Sequence, residues 1–257
     1  MIARATAKQD SGSRVGQHLY LYGLVLPDAR VPEDMTGVDD EPVRAEPLGE
    51  VTALVSEIAD TEVIGLPAEV RAHAGVLDAV VRTCAVLPAQ FGTIAVGSEL
   101  GSGLPAGRRR ASADWLDRMA DMVQFSLTAR FHEDAVITEL VNEQPEIRRL
   151  REITRTQPEA ATYQARVRLG ELVVAGFDRK RAVDAQALER KLLPLVAELR
   201  HREVTQVDTL LEVAVLVRRD GVTEFEDSLE EVAAGIAGRI SLRLVGPQAP
   251  YDFVEEV

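Results

Sequence analysis

The sequence predicts an α+β protein in two domains: a small N-terminal α+β sheet domain and a C-terminal sheet domain with inserted helices. Three observations carry this prediction. Strand-type runs that are apolar on both sides occur near each end, at His18–Leu26 and Val207–Arg218. Between them, Val123–Phe131 alternates strictly, with Val123, Phe125, Leu127, Ala129 and Phe131 interleaved by Gln124, Ser126, Thr128 and Arg130. Long stretches of helical period separate these strands, and a Gly/Ser-rich stretch at 98–113 divides the chain. A length of 257 residues suits two modest domains.

The first 17 residues lack an apolar core and read as a disordered lead-in, not a secretory signal. The N-terminal domain is expected over 18–97. His18–Leu26 (HLYLYGLVL) is its central strand, ending at Pro27. Residues 28–47 combine Glu33, Asp34, Asp39 and Asp40 with Pro32, Pro42 and Pro47, the composition of a surface loop. Gly49–Ile58 is a second strand with Val51, Ala53 and Val55 on one face. Pro67 suits the first position of a helix, where its missing N–H has no partner to lose. That helix runs to Ala85, with a break expected near Gly75, and Val86–Ala95 returns as a strand. Residues 98–113 read as the linker before a helix over Ser112–Met122.

The C-terminal domain is expected over 114–257. After the strand Val123–Phe131 come helices at Asp134–Arg155, punctuated by Pro145, at Ala160–Gly176, and at Asp184–Arg202, where Leu188, Leu192, Leu195 and Leu199 keep helical spacing and Pro194 kinks the helix. The strand Val207–Arg218, a turn at Arg219–Gly221, a helix over Glu224–Gly238 and a strand at Ile240–Val245 complete the chain. The order β, helices, β, α, β suits a ferredoxin-like sheet whose first crossover is expanded by extra helices.

The composition excludes several functions. A formal charge of −13 repels phosphate backbones and anionic headgroups, so neither nucleic-acid binding nor membrane insertion is expected. No run approaches the roughly 18 apolar residues of a membrane-spanning helix. The single Cys84 excludes an internal disulfide framework and fits a cytoplasmic protein. His18, His73, His132 and His201 stand singly, without the i, i+3 or i+4 pairing of helical metal sites. No nucleophile elbow or phosphate loop occurs, so no catalytic, cofactor-binding or metal residue is assigned and the chain is not read as an enzyme.

Two segments stand out instead. VLPAQFGT at Val86–Thr93 follows a helix that contains His73, and GPQAPYDFV at Gly246–Val254 lies close to the C-terminus. Both join apolar residues to Pro and Gly, which fix backbone and perform no chemistry. Together with Gly170–Lys191 (GELVVAGFDRKRAVDAQALERK), they resemble the gas vesicle GvpL/GvpF family, from His18 to the C-terminus. Gln90 stands where that family often has Arg or Lys, and GPQAPY stands for GPWPPY.

The resemblance implies a modified ferredoxin-like C-terminal domain. It also implies a minor structural or accessory protein located at the gas vesicle. Such a protein would bind the hydrophobic shell protein and other gas vesicle accessory proteins, and would assist nucleation or assembly. On the same resemblance His73, Leu87, Pro88, Phe91, Gly92 and Gly246 are structural motif residues. Pro247, Pro250, Tyr251, Phe253 and Val254 form a candidate partner contact, held extended by the prolines. The alternative is that these anchors pack on their own domain. The rival function is a small-molecule-binding regulatory α+β protein, with Gln124, Ser126, Thr128 and Arg130 on a wet strand face as its site.

Overall fold

The computed structural model describes residues 18–59, 65–97, 99–204 and 206–254; the expected lead-in at 1–17 lies outside them. The described chain divides into two compact units. One holds the residues up to Ala120 together with Val254, and the other holds Asp121–Phe253.

In the first unit, strands β1 (His18–Val25), β2 (Arg44–Pro47), β3 (Thr52–Ile58), β4 (Leu87–Pro88) and β5 (Ile94–Val96) form one sheet. Its order is β2-β3-β1-β4, with β5 also paired to β1, so β1 is central as its two-sided apolarity predicts. Helix α1 (Pro67–Val81) covers one face. On the other face Leu19, Val51, Ala53 and Val55 pack with Trp115 and Leu116 of helix α3 (Ala106–Met119).

Local differences from expectation have physical causes. Part of the acidic loop is ordered as edge strand β2, because Val38 is buried and its N–H donates to the Tyr22 hydroxyl at 2.7 Å, which holds the loop on the sheet. The expected break at Gly75 is absent: the position faces open space, and one exposed glycine costs a helix only about 1 kcal/mol. The motif strand is split into β4 and β5 by a turn at Phe91–Gly92, where Gly92 has φ +83°. Short helix α2 (Leu100–Gly103) and the start of α3 lie inside 98–113, the expected linker, because Leu100 joins the core cluster and Leu104 packs against it. Burial there overrides the loop-like composition.

The second unit runs β6 (Met122–Phe131), α4 (Glu133–Glu143), α5 (Pro145–Thr156), α6 (Glu159–Leu192), β7 (Glu198–His201), β8 (Thr209–Arg218), α7 (Val222–Ile236) and β9 (Ile240–Gln248). All pairings are antiparallel and the sheet order is β7-β8-β6-β9, which is the split-βαβ order of a ferredoxin-like sheet. Phe125 and Phe131 of β6 meet Phe225 of α7 and Phe177 of α6 at ring separations of 5.4 and 5.9 Å, so the alternating apolar residues face the helices.

Two expected helices, Ala160–Gly176 and Asp184–Arg202, are replaced by one. Helix α6 is continuous for 34 residues through the basic stretch after Gly176. Gly176 lies against Leu140 of α4, where a Cβ would lie 2.7 Å from Leu140 Cδ2. The helix ends just before Pro194, and Glu198–His201, expected as helix, is instead an edge strand with Leu199 opposite Val215. Strand β9 also runs three residues past the expected Val245.

Candidate functional site

The two motif segments lie in different places and do different work. In the first unit the turn after β4 is fastened to α1 and β1 by a buried polar cluster. Gly92 N–H donates to the Tyr20 hydroxyl at 3.0 Å, and that hydroxyl hydrogen-bonds His73 Nδ1 at 3.0 Å. The His73 ring stacks on Tyr22 and meets Phe91 edge-on, each at 5.7 Å between centroids. Tyr22 reaches on to Ser56 Oγ at 2.8 Å. Leu87 and Pro88 are buried and pair with Leu24 and Gly23 of β1. His73, Leu87, Pro88, Phe91 and Gly92 are therefore brought together around β1.

Burial pushes the Tyr20 hydroxyl up to about 12, so it remains a protonated donor at all working pH values. Burial also holds His73 below its ordinary value, against a smaller opposing effect from a hydrogen bond to the Ala89 backbone. A histidine depressed in the folded state adds stability that is complete above its unfolded pKa of about 6.5 and is lost as pH falls below it. Denaturation midpoints of the wild type should therefore drop between pH 7.5 and 5.5. A His73→Gln variant should be weaker at pH 7.5 yet lack most of that slope. An equal slope in both proteins would show that His73 does not titrate as its surroundings require.

The tail is built into the second unit. Gly246 has φ +155°, a conformation that favours glycine, and a Cβ there would lie 2.5 Å from Phe125 Cδ1. Gly246–Pro247 is cis. Beyond it the chain crosses the sheet face of β6 opposite the helices. Ser126 Oγ donates to Gln248 Oε1 at 2.9 Å, Gln124 Nε2 donates to Asp252 Oδ2 at 2.6 Å, and Asp252 N–H donates back to Gln124 Oε1 at 3.1 Å. Arg202 forks onto the Asp252 carboxylate at 2.9 and 2.6 Å, which holds that carboxyl below the usual range. Arg200 donates to the Asp252 carbonyl at 2.7 Å and lies 4.8 Å over the Phe253 ring.

The expected wet face of β6 is thus covered at its Gln124 end, and Gln124 is 1 % exposed. Sequence reasoning missed this because an interleaved polar residue signals hydrogen bonding, which the chain's own tail satisfies as well as water does. Of the candidate contact residues, Phe253 is 1 % exposed, Pro250 is buried, Pro247 is half-buried and Tyr251 is 44 % exposed. Val254 belongs to the first unit and packs against the cluster that contains Leu87.

Sequence reasoning also missed Tyr20, Tyr22, Arg200, Arg202 and Asp252. The available signal was a pair of tyrosines two apart in an otherwise apolar strand, since each buried hydroxyl demands a partner. Among the described residues there is no group of three or more His, Cys, Asp or Glu placed to hold a metal ion, and no helix long and apolar enough to cross a membrane.

Comparisons with known proteins agree on one family. The family model described as gas vesicle synthesis protein GvpL/GvpF matches residues 18–255. Gas vesicle protein F of Streptomyces sp. (strain CB03234) is 28 % identical over 239 residues, covering 92 % of this chain and 99 % of that one. Crystal structures of GvpF from Anabaena sp. PCC7120 and from Microcystis aeruginosa each match with a TM-score of 0.73. The first is 18 % identical and covers 94 % of this chain and 98 % of its own; for the second the values are 19 %, 93 % and 99 %. At those identities the two structures speak for the fold alone.

Proposed function

Because this chain belongs to the gas vesicle GvpL/GvpF family, we propose that it is an accessory or minor structural protein that binds the hydrophobic shell protein, in the cytoplasm or at the vesicle, and assists nucleation or assembly of the vesicle. The observation that carries this reading is a family match spanning nearly every described residue of both units. A shell subunit with large apolar surfaces needs a partner to cover them until it joins the wall.

The tail offers little for that contact, since Phe253 and Pro250 are buried. Exposed apolar side chains lie instead on α6, where Tyr163, Val167 and Val174 follow at helical spacing along one stripe and Tyr163 is 67 % exposed. In this reading that stripe meets the shell protein, and the carboxylates that make the chain net −13 keep the complex dissolved. Of the four side chains expected for the small-molecule reading, Gln124 and Ser126 are taken up by Asp252 and Gln248. The test is whether tagged protein retains the shell protein of its own organism through purification in both low and high salt.

A further inference from the structure

The first unit holds a cleft of about 460 Å³ between edge strand β4 and helix α3. Its floor and walls are aliphatic: Leu21 and Leu24 from β1, and Leu87 and Pro88 from β4. Two polar groups from α3 line it one helical turn apart, Arg108 and Ser112. The Ser112 residue is only 2 % exposed, and the Arg108 guanidinium makes no ion pair with a carboxylate among the described residues. In a chain of net charge −13, a guanidinium with no carboxylate partner among the described residues, set beside an apolar cleft, can serve as an anion contact. An aliphatic cavity with a few convergent polar groups has the composition of a binding site.

We propose that this cleft binds an extended partner segment in which an aliphatic side chain is followed by a carboxylate side chain. The aliphatic group fills the space over Leu21, Leu24 and Leu87, and the carboxylate accepts hydrogen bonds from Arg108 and from the Ser112 hydroxyl. Two features favour a peptide over a free fatty acid. The cleft lies beside β4, a strand at the edge of its sheet. One aliphatic peptide side chain, Val254, already lines the cleft and packs on the same cluster. This site is separate from the α6 stripe, so it stands or falls apart from the shell-protein reading.

The experiment titrates the full-length ¹⁵N-labelled protein with the capped peptide acetyl-Ala-Leu-Val-Glu-Ala-amide and follows backbone amide shifts. Saturable shifts are expected at Leu21, Leu24, Leu87 and Ala89. The peptide with Gln in place of Glu should bind about tenfold more weakly, as should the Arg108→Gln protein with the original peptide. Ser112→Ala should weaken binding by a smaller factor. Arg108 is exposed, so its replacement should leave the melting temperature unchanged. Absence of saturable shifts would overturn the proposal. Equal binding of the Gln peptide would also do so, because the carboxylate would then not be read. Decanoate serves as the second probe: shifts with decanoate and none with the peptide would make this a fatty-acid site and sink the peptide assignment.

Discussion

Truncating Phe253 to alanine is expected to destabilise the second unit by about 3–5 kcal/mol, the usual cost of emptying a fully buried aromatic site. The ring is 1 % exposed and sits beneath the Arg200 guanidinium, while its neighbour Asp252 ties the same segment to Gln124 and Arg202. Removing the ring therefore leaves a cavity at the point where the tail is fastened to the sheet. Tyr251 is 44 % exposed, and its truncation should cost far less. Urea denaturation of the two variants separates the readings. A large fall in midpoint for Phe253→Ala with a small one for Tyr251→Ala identifies the tail as core. Equal, small effects would mean that it is a detachable arm.

Replacing Gly246 by valine should cost a comparable amount, on the order of 3 kcal/mol or more. Two independent penalties act there. The backbone is at φ +155°, where a β-branched residue is strained, and a Cβ would sit 2.5 Å from Phe125 Cδ1 and 2.9 Å from the Gln124 carbonyl. Phe125 is itself fully buried against Phe225, so its ring has little freedom to withdraw. Gly235, on the exposed side of α7, has nothing within 4 Å of a built Cβ. Gly235→Ala is the matched control and should be neutral or stabilising. Thermal melts of both variants decide the matter: unchanged stability in the Gly246 variant would contradict the packing described here.

Much of the sheet framework was legible because period and burial coincide there. β1 and β8 are apolar on both sides and are interior strands, and β6 alternates because its helix face takes Phe125, Leu127 and Phe131. The misread elements are those where local pattern and tertiary contact compete. Leu195 and Leu199 continue the spacing of Leu188 and Leu192, yet Pro194 ends the helix and Leu199 becomes part of an edge strand. Gly176 resembles a helix end and is instead a contact point where α6 presses on Leu140. Residues 98–113 have loop composition, but Leu100 and Leu104 find a core to join.

The motif residues were legible as backbone-fixing, and Gly92 and Gly246 do adopt positive φ. Their partners were not legible. Tyr20 lies 53 residues from His73 and 72 from Gly92, and Gln124 lies 128 from Asp252; no local pattern encodes such pairings.

The measurement that bears most directly on the functional account is retention of the shell protein by the tagged chain, co-expressed and washed at low and then high salt. Apolar contact through the α6 stripe predicts retention at both salt concentrations, and loss when Val167 and Val174 are both changed to Asp, with the melting temperature of the variant unchanged. Release already at low salt, or full retention by the doubly substituted protein, would contradict it.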